Sequence, residues 1–111
     1  MGTLSYAGAD YEFEDRLLAH LKIAITTKLR LKEGFLLNWQ IPTDRGSGRA
    51  SIWLAPDIPL AFRFGGSRPP ELNRLWLDAL ARSSHGIRGM VVMSEDEARN
   101  YVDEAGRSTA P

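Results

Sequence analysis

The sequence predicts an α+β fold: an antiparallel sheet of five or six strands with two amphipathic helices packed on one face, in the order ββα-βββ-α-β, followed by a short C-terminal helix. Three observations lead there. Apolar residues recur every three or four positions from Leu17 to Leu29 and again from Leu72 to Leu80, the period of a helix with one buried face. Between these stretches, residues 35–64 change to a period of two in three short runs, which is how half-buried strands read. Those runs are joined by turn residues and not by helices, so a meander is expected over a parallel sheet.

Taken in order, Leu4 and Tyr6 alternate, Gly8 to Asp10 supplies a turn, and Tyr11 and Phe13 alternate again, predicting a hairpin. Asp15 is placed to cap a helix from residue 16 whose apolar positions are Leu17, Leu18, Leu21, Ala24, Ile25 and Leu29. Lys28, Arg30 and Lys32 complement the negative end of its dipole, and Gly34 is expected to make the left-handed exit. The runs FLLNWQ, RASIWLA and LAFRF are the meander, separated by IPTDRGSG and PDIP. A second helix is expected from Pro70, with Leu72, Leu75, Trp76, Ala79 and Leu80 on its buried side and Arg74, Asp78 and Arg82 four apart on the other. IRGMVVM reads as a last strand. Ser94 followed by Glu97 is a capping-box pattern, opening a helix that carries Ala98, Tyr101, Val102 and Ala105. Residues 1–93 are expected to form a single α+β domain and residues 94–111 an acidic tail.

Composition narrows the function classes. The chain has 111 residues, 43% of them hydrophobic, enough to bury one core without staples. Cysteine is absent, which excludes a disulfide framework, a thiolate metal site and a cysteine nucleophile. The first fifteen residues carry acids where a signal peptide carries a basic start, and no apolar run approaches the roughly 20 residues that span a bilayer. A cytoplasmic protein with no membrane partner is expected. Net charge is zero but uneven: residues 45–88 carry seven arginines against three acids, and residues 94–111 five acids against two arginines.

The stretch FRFGGSRPPELN comes closest to a chemical motif. A strand, a glycine turn and a helix start can cradle an anion on converging amides. Pro69 and Pro70, however, remove two donors, and Glu71 already places negative charge at the helix start. A strand-to-helix hinge is the leading reading, with an anion contact by Ser67, Arg68 and nearby amides as the second. The loop Arg45-Gly46-Ser47-Gly48-Arg49 is first a hairpin connection, though its arginines could grip a phosphate backbone. His20 beside the apolar stripe of the first helix reads as a packing residue, and His85 sits in a turn. Two distant histidines without cysteine suggest no metal site. No hydrolase elbow or metalloprotease pair occurs, so no catalytic residue and no cofactor is assigned. Trp39, Trp53 and Trp76 read as core first, as interface second and as base-stacking groups third.

MGTLSYAG, DRLLAHLKIAITTKLR and GRASIWLAPDIPLAFRFGGSRPPELNRLWLDAL together resemble a family of small actinobacterial proteins of unknown function whose members are often labelled ATP-dependent DNA ligases. The resemblance covers residues 1–83, and Gly48 to Leu80 is its most specific part. It implies ligase chemistry or an accessory domain that touches DNA. A ligase nucleophile stands in Lys-x-Asp-Gly, and none of Lys22, Lys28 and Lys32 does. The leading expectation is therefore a non-catalytic module that contacts nucleic acid or another polyanion, including an acidic protein, through Arg45, Arg49, Arg63, Ser67 and Arg68. The alternative is a protein-interaction or homo-oligomeric module with Trp53 at its interface, and ligase-related activity comes third.

Overall fold

The computed structural model describes residues 1–108. Its elements are β1 (Gly2–Tyr6), β2 (Ala9–Phe13), α1 (Asp15–Arg30), β3 (Phe35–Ile41), a 3-10 turn (Thr43–Arg45), β4 (Gly48–Leu54), β5 (Leu60–Arg63), α2 (Arg74–Ser83), β6 (Met90–Val91) and α3 (Glu95–Ser108). The α+β class and the element order agree with the sequence expectation.

The strands do not form one sheet. They divide into two three-stranded sheets, ordered β2-β1-β5 and β4-β3-β6. β5 leaves the meander after β4 and pairs with β1 instead, Tyr6 opposite Leu60 and Thr3 opposite Arg63. Two features end the meander there. Pro56 and Pro59 bracket the connection, and the Tyr6 hydroxyl donates to the Trp53 carbonyl (2.8 Å) while accepting from the Ala55 amide (2.9 Å), so groups that a further hairpin strand would use are already satisfied. β6 is also parallel to β3 where an antiparallel strand was expected, because the chain reaches it through the crossover formed by α2.

The inner faces of both sheets and the three helices share one core. Leu4, Tyr6 and Phe13 come from the first sheet and Phe35, Leu37, Leu54 and Met90 from the second. Leu18, Leu21 and Ile25 come from α1, Trp76 and Leu80 from α2, and Ala98 from α3. Where the sheets meet, the Trp39 ring stands edge-on against Tyr11 and Phe13, with centroids 5.3 Å apart in each case. The Ser94–Glu97 capping box forms as the spacing predicts, with reciprocal bonds of 2.8 and 3.1 Å.

Three helix ends differ from expectation. Glu14 occupies the N-cap of α1 with no side-chain bond, and Asp15 is the first helical residue. The left-handed residue after α1 is Lys32 (φ 62°), not Gly34. Gly34 leaves room for a neighbouring ring, since a Cβ there would lie 2.8 Å from Cζ2 of Trp53. α2 starts at Arg74 and not at Pro70, because Asn73 is the better cap: its Oδ1 accepts from the amides of Leu75 (3.0 Å) and Trp76 (3.4 Å). Leu72 is left outside the helix and largely exposed. Among the described residues, no helix is long and apolar enough to cross a membrane.

Candidate functional site

The glycine turn after β5 already holds an anion, and that anion is part of the chain. The Asp15 carboxylate accepts from the amides of Gly65 (3.1 Å) and Gly66 (2.9 Å) and lies 3.7 Å from the terminal amine. Those two amide bonds hold its carboxyl below the usual carboxylate range. Ser67 and Arg68 follow this turn as exposed residues of the loop leading to Asn73. An outside anion at the turn would have to displace Asp15, so the geometry is that of a fastened hinge.

The solvent face of the second sheet is built differently. Period-two alternation with the β3–β4 register sets Leu36 opposite Trp53, Asn38 opposite Ser51 and Gln40 opposite Arg49, and the parallel register places Val91 beside Asn38. None of these residues is acidic. Trp53 is 59% exposed, and its ring lies over Gly34, where a Cβ would be 2.8 Å from Cζ2. Asn38 Nδ2 donates to the carbonyls of Arg88 (2.6 Å) and Met90 (3.2 Å), and Ser51 Oγ donates to Asn38 Oδ1 (2.6 Å). This chain of bonds ties the loop carrying Arg88 to the sheet. Gly89 makes the approach feasible: it has φ 88°, and a Cβ there would sit 2.6 Å from the Leu36 carbonyl oxygen.

Arg49 and Arg88 line one broad depression with Leu36, Asn38, Gln40, Ser51 and Val91. Among the described residues, neither arginine has a carboxylate within ion-pair distance. The depression continues past the hairpin tip to β2 and the start of α3, where its lining turns acidic with Asp10, Glu12, Asp44 and Asp96. Arg16 and Arg45 line that end as well and pair there with Glu95 and Glu12, whereas Arg49 and Arg88 on the sheet side have no such partner among the described residues.

The arginines singled out from the sequence are distributed over four places. Arg49 and Trp53 share the exposed face of β4. Arg45 lies on the 3-10 turn with Nη2 3.9 Å from the Glu12 carboxylate, which ties it to β2. Arg63 sits on the solvent face of the first sheet, and Arg68 lies in the loop beyond it. Arg88, which the sequence does not single out, lines the same depression as Arg49 from the loop before β6. The signal was weak: only the glycine after it hinted that this loop presses on a strand.

A second polar cluster joins α1, α2 and α3. The Arg16 guanidinium grips Glu95 with both Nη atoms (2.6 and 3.0 Å), and its Nε donates to the Glu71 carbonyl (3.3 Å). Asn73 Nδ2 donates to Glu95 Oε2 (2.7 Å). His20 is fully buried and stacks on Trp76 with ring centroids 4.2 Å apart. Its Nε2 accepts from the Asn73 amide (2.9 Å), so the ring proton falls on Nδ1, which donates to the Arg16 carbonyl (2.7 Å). Arg16 and then Asn73 lower the Glu95 carboxyl to about 2. Both ring nitrogens of His20 and both oxygens of Glu95 are engaged within the protein, which makes the cluster a fastening between helices. Among the described residues, no group of three or more His, Cys, Asp or Glu side chains could hold a metal ion.

The chain matches, over residues 1–95, the family described as Domain of unknown function (DUF7882), and it belongs to that family. The match covers the two sheets, α1, α2 and the first residue of α3. No curated protein and no solved structure matches the chain.

Proposed function

For this member of a family of unknown function, we propose a non-catalytic module that binds single-stranded nucleic acid on the solvent face of the β4-β3-β6 sheet. The observation that carries the reading is the exposed Trp53 ring on the same acid-free face as Arg49, with Arg88 at its margin. Single strands are held by aromatic rings that stack bases and by cations that track phosphates, and a sheet face presents both at strand spacing. Trp53 is the stacking group, Arg49 and Arg88 neutralise phosphates, and Gln40, opposite Arg49, offers a hydrogen-bonding amide. A double helix is a poorer fit, because its bases are already stacked on one another. The resemblance to proteins labelled as DNA ligases brings the same class of partner. A ligase reaction is not part of the proposal: Lys28 pairs with Glu33 at 2.8 Å, and no lysine stands in the required motif.

Titrating a fluorescent single-stranded oligonucleotide across a salt series tests this. Two neutralised phosphates give a log–log salt slope of about −1.4, and Arg49→Ala should remove roughly half of it. Trp53→Ala should weaken binding by about 1–3 kcal/mol. Arg63→Ala, in the other sheet, should leave affinity and slope unchanged. Absence of binding at low salt, or equal losses from Arg63→Ala and Arg49→Ala, would refute the assignment.

A further inference from the structure

β4 is an open edge, and we propose that it pairs antiparallel with β4 of a second copy of this chain, joining two β4-β3-β6 sheets into one of six strands. The direction of its backbone groups follows from β6. The Val92 amide donates to the Asn38 carbonyl at 2.9 Å, so Asn38 turns its backbone groups toward β6 and away from its β4 neighbour Ser51. Antiparallel pairs alternate, so Trp39–Ala50 and Leu37–Ile52 exchange the β3–β4 bonds, while Arg49, Ser51 and Trp53 direct their amides and carbonyls outward. The Tyr6 hydroxyl takes the Trp53 carbonyl and closes that end. Arg49 and Ser51 remain, and both are exposed.

The other sheet edges are guarded and this one is not. β2 carries exposed Asp10 and Glu12, which would oppose one another if two copies paired about Tyr11. β5 has four residues and follows Pro59, and β6 has two. β4 has seven residues and contains neither proline nor acid. A two-fold axis through Ala50 sets Arg49 opposite Ser51 of the second copy and Ser51 opposite its Arg49, so each outward amide meets an outward carbonyl and four hydrogen bonds close. Arg49 then lies diagonally from both Trp53 and Arg49 of the second copy, and turns its guanidinium toward the Trp53 ring. The strand is self-complementary where β2 is self-repelling, and that is why the occupant is a second copy. The pairing stands or falls independently of any nucleic acid.

Sedimentation equilibrium over a wide concentration range reads the outcome. The weight-average mass of the unmodified chain should rise toward twice that of the monomer as concentration increases. Ser51→Pro removes an outward amide that β3 does not use, and Ser51→Lys sets a cation opposite Arg49 of the second copy without touching the backbone. Both should stay monomeric with unchanged far-ultraviolet circular dichroism. If Ser51→Pro fails to fold, Ser51→Lys decides. A chain that is monomeric throughout, or a dimer that survives Ser51→Lys, would overturn the proposal.

Discussion

The backbone amide of Asn73 donates to Nε2 of His20 at 2.9 Å, across 53 residues of sequence. The residue that caps α2 is therefore held by a side chain in α1, and the start of the second helix is positioned by the middle of the first.

His20→Ala should accordingly cost more than its ring volume. It empties a fully buried site beside Trp76 and leaves the Asn73 amide without its partner, while the Arg16 carbonyl keeps its helical bond. A loss of about 2–4 kcal/mol is expected from the cavity and the stranded amide. Urea unfolding at neutral pH measures it, and a loss below about 1 kcal/mol would mean the site collapses or hydrates freely.

Glu95 gives the protein an acid limb of defined sign. Its carboxyl is lowered from 4.5 to about 2 by Arg16 and Asn73, so the folded state holds this proton less tightly than the unfolded chain does. Its contribution is present in full above pH 4.5 and is lost as pH falls toward 2. The urea midpoint of Glu95→Gln should therefore vary less across that window than that of the unmodified chain. Parallel curves would show that the pair with Arg16 is not formed.

Gly89→Ala combines two penalties. The residue has φ 88°, and the new Cβ would lie 2.6 Å from the Leu36 carbonyl oxygen, a backbone atom that cannot swing away. Destabilisation of about 2 kcal/mol or more is expected. A thermal melt unchanged from the parent would contradict the close approach of this loop to β3.

Tyr6→Phe keeps the ring and removes the hydroxyl that serves both the Trp53 carbonyl and the Ala55 amide. A loss of about 1–2 kcal/mol is expected from the unsatisfied pair. Hydrogen exchange at Ala55 should accelerate in this variant, and if it does not, water replaces the hydroxyl without penalty.

What could be read from the sequence was local. The hairpin, α1 and the Ser94–Glu97 box are each specified within a few residues by alternation, by three- and four-residue spacing or by a reciprocal cap, and each formed. The division into two sheets was not legible, because the partner of β5 is decided by Tyr6, which lies 54 residues before Leu60. The start of α2 was misplaced because proline at a helix start is a common signal, and here the Asn73 side chain outweighs it. The candidate arginines were scattered for the same reason: Arg49 and Arg63 are close in sequence, yet the strands that carry them belong to different sheets. Register, which groups Arg49 with Trp53 and Gln40, is a property of paired strands and has no signature in one strand alone.

The segment from Phe64 to Asn73 has no regular secondary structure, yet both of its ends are bolted to the first two turns of α1, Gly65 and Gly66 to Asp15 and Asn73 to His20. Its order is borrowed from that helix. It should open only when α1 opens, with the amides of Gly65, Gly66 and Asn73 exchanging in one cooperative unit with the helix core and not at the pace of a surface connection. By outline it is a loop; by its hydrogen bonds it is fastened to α1.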